Sequence, residues 1–146
     1  MRIFLVNHDE TIGQYEILAD YFKDRQNEFK ITGIISSDIG NTKNTADIIN
    51  KKLNTKIAYS FKWCGAKEKK QYKESSIEFF ERIEKAFKRL LGILSPDDNI
   101  VLVTNCDVIN IIYSIVNNET WINKNINESI LQQNIFLMEN SKISTI

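Results

Sequence analysis

Net charge is the first thing this 146-residue chain lacks, since 19 Lys and Arg balance 19 Asp and Glu. A neutral chain gives no electrostatic ground for expecting nucleic acid or an anionic membrane as a partner. A long apolar run is also missing, so no membrane-spanning helix is expected. No cationic stretch leads into an apolar segment and a small-residue cleavage site, so no secretory signal is expected. Cysteine occurs twice, at Cys64 and Cys106, far apart and without metal-ligand spacing. That usage reads as reduced thiols in a cytoplasmic protein. Histidine occurs once, at His8. Lysines gather between Lys67 and Lys73, but Glu74, Glu78 and Glu81 follow at once. The run therefore reads as a solvated loop leading into a helix.

What is present is a regular alternation of apolar runs and helical stripes. Arg2 to Val6 reads as a buried strand, and Tyr15, Leu18, Tyr21 and Phe22 then recur at helical spacing. Ile31 to Ile35 predicts a second strand, and Thr42, Thr45, Ala46, Ile49 and Leu53 one helical face. Lys56 to Phe61 predicts a third strand at an edge. Ser75 and Glu78 have the spacing of a capping box. It opens a helix with the stripe Phe80, Ile83, Phe87, Leu90, Leu91 and Leu94, which the Ser95-Pro96 turn ends because Pro cannot continue it. Ile100 to Val103 is the most buried-looking strand, with a helix carrying Val108, Ile111, Ile112 and Ile115 after it. Ile130 and Ile135 to Met138 supply the last extended pieces. Such a chain predicts an α/β fold, a mostly parallel sheet covered on both faces, in a single domain over residues 1–146. Ligands of such sheets bind beyond the carboxyl ends of the strands. His8, Asn105, Cys106 and Asp107 fall there, with Asn41 at the start of a helix.

Three segments carry more than periodicity. Residues 2–11 read R-I-F-L-V-N-H-D-E-T, residues 34–49 read I-I-S-S-D-I-G-N-T-K-N-T-A-D-I-I, and residues 100–109 read I-V-L-V-T-N-C-D-V-I. They resemble L-V-R-H-G-E-T, V-x-S-S-D-L-x-R-A-x-Q-T-A-x-I-I and V-L-V-V-S-H-G-G-V-I of the histidine phosphatase, or phosphoglycerate mutase-like, superfamily. Glu74-Ser75-Ser76 through Phe79, and Asn127 through Ile130, are similar to two further pieces in the same order. The likeness runs over nearly the whole chain. It implies a three-layer α/β/α sandwich of the compact form, without cap insertions. It resembles the members that act on phosphorylated proteins. It also implies that His8 stands at the position of the nucleophile that takes up the phosphoryl group.

The same alignment places Asn7 and Asn41 where the family has phosphate-binding arginines, and Asn105 where it has a second histidine. Asp9, Cys106 and Asp107 replace glycines, and Phe61-Lys62-Trp63 falls where the family has a general acid. Glu68 and Glu74 are the nearest acids that could approach instead. Arginine matters in such a cradle because its forked donors match phosphate oxygens and stay charged at any working pH. A unit charge pair at about 4 Å is worth roughly 4 kcal/mol at an effective dielectric near 20. An Asn hydrogen bond returns about 1 kcal/mol. A phosphate dianion is therefore expected to bind poorly. Asp107, at the start of a helix, is expected to act as an N-terminal cap and take the N–H groups that would otherwise meet a phosphate.

These residues support a degenerate, catalytically inactive histidine phosphatase fold kept as a binding or regulatory module. Its partner would be a protein or a small polar ligand, with no cofactor. Asn7, Asn41 and Asn105, converging around His8, would favour amides, sugars or base edges over anions. The alternative is an atypical phosphohydrolase that keeps His8 as nucleophile, with Lys43 or a metal holding the phosphate. A metal-dependent hydrolase on His8, Asp9 and Asp107 is a third reading. His8 also reads as a turn residue, Cys106 as a small buried residue, and Trp63 and Trp121 as packing. The Ser36-Ser37-Asp38 turn reads as a cap for the helix that follows.

Overall fold

The computed structural model describes residues 1–7, 14–66, 74–119 and 135–146. The elements are β1 (Arg2–Asn7), α1 (Gln14–Asp24), α2 (Gln26–Phe29), β2 (Gly33–Ser36), α3 (Gly40–Leu53), β3 (Lys56–Tyr59), α4 (Ser76–Ile93), β4 (Asn99–Thr104), α5 (Cys106–Val116), β5 (Ile135–Glu139) and β6 (Lys142–Thr145). A short 3-10 helix, Phe61–Trp63, follows β3. The strands form one sheet in the order β3-β2-β4-β1-β5-β6. Pairing is parallel from β3 through β1, and antiparallel from β1 to β5 and from β5 to β6.

The central strands are apolar on both faces, and that dictates three layers. Along β1, Ile3 and Leu5 pack under α4 and α5, while Phe4 and Val6 pack over α1, α2 and α3. Along β4, Ile100 and Leu102 join the first cluster, and Val101 and Val103 the second. Every residue of β4 is buried. Burial of each such Leu, Ile or Val side chain contributes roughly 1.5–3 kcal/mol, so the two central strands set the register of the whole sheet. The lower layer is closed by aromatic edges: the Phe4 and Phe22 rings meet at 5.6 Å and 89°, and Phe4 and Phe29 at 4.6 Å.

The α3 face is Thr42, Thr45, Ala46, Ile49 and Leu53, all buried, as the spacing predicts. The capping box of α4 is complete: Glu78 N–H donates to Ser75 Oγ at 3.1 Å, and Ser75 N–H to Glu78 Oε2 at 2.8 Å. The buried stripe of α4 is Phe79, Ile83, Ala86, Phe87 and Leu90. It is rotated from the expected one, with Phe79 at its centre and Phe80, Leu91 and Leu94 only partly buried. No described helix is long and apolar enough to cross a membrane.

Two expectations need correction. The last strand, β6, lacks an apolar pattern beyond Ile143, so periodicity gives no sign of it. It forms because Asn140 and Ser141 both take positive φ, 51° and 59°, between the paired residues Glu139 and Lys142. Two such residues make the tight turn whose twist suits a hairpin. The Ser36-Ser37-Asp38 turn does not cap α3 with a side chain. Its N-cap is Ile39, with no side-chain cap bond. The serines come too early to reach the first helical N–H groups, and Ser36 Oγ donates instead to the Thr42 carbonyl at 3.2 Å. Ile130 and Trp121 lie outside the described residues.

Candidate functional site

The topology marks one place for a ligand. β1 and β4 are parallel neighbours, with Asn7 opposite Thr104. The chain leaves β1 for α1 on one face of the sheet and leaves β4 for α5 on the other. Neighbouring strands whose connections part to opposite faces open a crevice beyond their carboxyl ends. Asn7 is the last residue of β1, and Asn105 is the residue after β4. On the other side of β4, β2 ends at Ser36, opposite Val103. It leads to α3, where Asn41 stands exposed in the first turn. The structure thus puts Asn7 and Asn105 on adjacent strand ends and Asn41 across β4 from Asn7. His8 and Asp9 lie outside the described residues.

The two strand-end amides share an unusual property. Asn7 Oδ1 and Asn105 Oδ1 are both buried, and neither has a hydrogen-bond partner among the described residues. Asn7 as a whole is 7% exposed. An acceptor held out of water without a donor costs about 1–3 kcal/mol. The two stand at the ends of adjacent parallel strands. An amide carries both donor and acceptor, so each can meet either kind of edge.

A loop seals one wall. The Trp63 carbonyl accepts from Thr104 Oγ1 at 2.7 Å, which pins the 3-10 helix over the end of β4. Gly65 then lies against Asn105 and Asp107: a Cβ there would sit 2.9 Å from Asp107 Oδ1 and 3.1 Å from Asn105 Cβ and Cγ. Any larger residue there would push Asp107 and Asn105 aside. Cys64 Sγ lies 3.6 Å from Asp38 Oδ1, joining the loop to the turn after β2.

Asp107 is not the N-cap of α5. That position is Asn105, which makes no side-chain cap bond, and Asp107 lies inside the first turn. Its carboxylate accepts from Val108 N–H at 2.8 Å and from Ala66 N–H at 2.9 Å. It therefore takes one helix N–H, as the sequence suggests, and also ties the loop to the helix, which the sequence does not show. Burial pushes the Asp107 carboxyl above the usual carboxylate range, against the opposing pull of these N–H groups and of the Arg82 charge. A carboxyl with a raised pKa holds its proton more tightly folded than unfolded. Its favourable contribution is complete below the unfolded value near 3.9 and is lost as pH rises through the higher folded value. Asp107→Asn removes that slope. The variant should gain stability relative to the parent as pH rises through this window, and run parallel to it above. Urea midpoints from acid to neutral pH check this; a constant offset at all pH values would contradict it.

Other expected residues are engaged elsewhere. Lys43 pairs with Asp47 at 2.8 Å and lies 4.7 Å from the Tyr59 ring centroid. This holds its charge on the β3 side of α3. Glu74 grips Arg82 with both oxygens, at 2.7 and 2.9 Å. Glu68 lies outside the described residues. Cys106 opens α5 and is partly buried. Trp63 is 5% exposed and packs in the upper core. Among the described residues no three His, Cys, Asp or Glu side chains gather as metal ligands. Sequence reasoning missed Arg82, whose only signal is a cation one residue from Ile83 in the apolar stripe.

No protein-family profile and no curated protein matches the chain. Solved structures do. A phosphoglycerate mutase from Plasmodium falciparum superposes with a TM-score of 0.69 at 19% identity, over 99% of this chain and 87% of that one. An alpha-ribazole phosphatase from Shigella flexneri gives 0.68 at 11% identity, over 100% and 95%. A mycobacterial glucosyl-3-phosphoglycerate phosphatase in complex with VO3 gives 0.64 at 11% identity, over 94% and 90%. The six-stranded sheet, its strand order and these superpositions together establish the architecture: the chain has the fold of the phosphoglycerate mutase-like histidine phosphatases.

Proposed function

We propose that this chain is a binding module on a histidine phosphatase fold, without phosphatase activity, and that its strand-end crevice takes a neutral polar group. The observation that carries the reading is the pair of buried amide oxygens of Asn7 and Asn105, which have no partner among the described residues. They stand where the family resemblance calls for an arginine and a histidine. Asp107 strengthens the case. Its carboxylate occupies the Val108 N–H at the start of α5, a group that would otherwise meet an anion. A carboxylate so placed repels a phosphate dianion at any pH where it is ionised. Asn41, exposed at the start of α3, supplies a third amide rather than a second guanidinium.

Amides recognise other amides, sugar hydroxyls and base edges through paired donors and acceptors. A regulatory role follows if ligand occupancy orders the crevice and so alters a surface that a partner protein reads.

The reading makes a kinetic prediction. Neither p-nitrophenyl phosphate nor a phosphohistidine peptide should release phosphate faster with the parent protein than with His8→Ala. Steady turnover by the parent that disappears in His8→Ala would establish the alternative, a phosphohydrolase with His8 as nucleophile.

A further inference from the structure

A second recessed surface borders the loop that walls the strand-end crevice. A groove of about 370 Å³ runs between the 3-10 helix and α4, lined by Phe61, Lys62, Arg82, Lys85, Ala86 and Arg89. Four of these six are cationic. We infer that this groove is a docking site for an acidic peptide segment of a partner protein, one that carries an apolar side chain between its carboxylates. The inference stands whether or not the strand-end crevice turns over phosphate.

Arg82, Lys85, Ala86 and Arg89 follow i, i+3, i+4, i+7 spacing, so they share one face of α4. That face stacks like charges at three and four residues' separation, which destabilises a helix. The arrangement is costly for a chain with no net charge. Glu74 neutralises Arg82 at the inner end, which leaves Lys62, Lys85 and Arg89. Glu78 serves the capping box, Glu84 pairs with Lys88 at 2.8 Å, and Glu81, four residues before Lys85, makes no ion pair with it among the described residues. Among the described residues no ion pair reaches Lys85 or Arg89, and both side chains are exposed. Arg82 is fixed at the inner end, donating also to the Lys62 carbonyl at 2.7 Å.

The groove is also partly apolar. Ala86 is 7% exposed at its floor, and Phe61 is 50% exposed at its rim. An apolar side chain set over Ala86 and against Phe61 leaves its flanking carboxylates beside Lys85 and Arg89. From Arg82 to Arg89 the helix rises about 10 Å, which matches roughly three residues of extended peptide. So short a cationic stretch on a neutral protein suits a peptide better than a nucleic acid, whose affinity comes from many phosphates in an extended positive field.

The test is fluorescence anisotropy of a labelled Asp-Glu-Phe-Glu-Asp peptide against the full chain. The inference predicts saturable binding that weakens with added salt, as exposed charge pairs do. Lys85→Glu with Arg89→Glu should weaken it about tenfold, since each reversal turns an attraction into a repulsion. Phe61→Ser should weaken it as well. Both α4 side chains point into solvent, so the unfolding midpoint should hold. If the double reversal disturbs folding, Lys85→Gln with Arg89→Gln provides the same reading with a smaller effect. Several results would overturn the inference: no saturable binding, equal binding of the Asn-Gln-Phe-Gln-Asn peptide, an affinity unchanged in the charge variants, or tighter binding of free phosphate or a single-stranded oligonucleotide.

Discussion

Replacing Glu74 by alanine should lower the unfolding free energy by about 3 kcal/mol, a large change for a single site. The pair it breaks is not a surface ion pair. The Arg82 and Glu74 side chains are 11% and 12% exposed. The guanidinium meets both carboxylate oxygens, at 2.7 and 2.9 Å, and donates a third bond to the Lys62 carbonyl. It also lies 5.1 Å from the centroid of the Phe79 ring, at the centre of the α4 stripe. Forked geometry of this kind is the strong form of the interaction. Removing the carboxylate leaves a cation largely out of water, with the Lys62 carbonyl as its remaining hydrogen-bond acceptor among the described residues, and that uncompensated charge is the source of the loss. The effect should spread. Arg82 holds the 3-10 helix through Lys62, and that segment leads directly into Gly65 and Ala66, the wall against Asn105 and Asp107. Denaturant titration should show a lower midpoint with an unchanged slope. A loss under about 1 kcal/mol would place the pair among solvent-screened ones and contradict its structural role.

The second large effect runs in the opposite direction. The triple variant Asn7→Arg, Asn105→His, Asp107→Gly should bind vanadate at least about thirtyfold more tightly than the parent, equivalent to roughly 2 kcal/mol. The guanidinium restores one attractive pair, worth roughly 4 kcal/mol before desolvation at 4 Å and an effective dielectric near 20. Glycine at position 107 removes the opposing carboxylate and releases the Val108 N–H toward the ligand. The bare helix end alone would not suffice, because it carries only about half a unit charge. Stability should fall. Asp107 accepts from Val108 N–H and Ala66 N–H, and each lost bond costs about 1 kcal/mol. A triple variant that folds and binds no better than the parent would show that Asp107 and the two amides are not what keeps anions out.

Much of this fold is legible in the sequence, for reasons that differ by element. β1 and β4 are apolar at every central position because both faces are covered, and such strands stand out as continuous runs. The capping box of α4 and the buried face of α3 are local, so spacing alone reveals them. The hairpin of β5 and β6 is not legible, because an edge strand needs little apolar surface and its turn depends on two positive φ values rather than on a familiar Asn-Gly pair. Asn7 and Asn105 at strand ends, and Asn41 at the start of α3, can be picked out only because the motifs coincide with these places. Arg82, Glu74 and Gly65 could not be found that way. Their roles arise from contacts between the 3-10 loop, α4 and α5, which are distant in sequence and meet only in the folded chain. Asp107 was half visible: its position at a helix start is local, while its bond to Ala66 spans 41 residues.

The most direct test of the central claim is calorimetric titration of the unaltered protein with vanadate. A crevice lined by Asn7, Asn105 and the Asp107 carboxylate should bind it more weakly than about 1 mM, with no saturable heat below that concentration. Saturable one-to-one binding in the micromolar range, abolished in His8→Ala, would contradict the account and show that the crevice still holds a phosphoryl group.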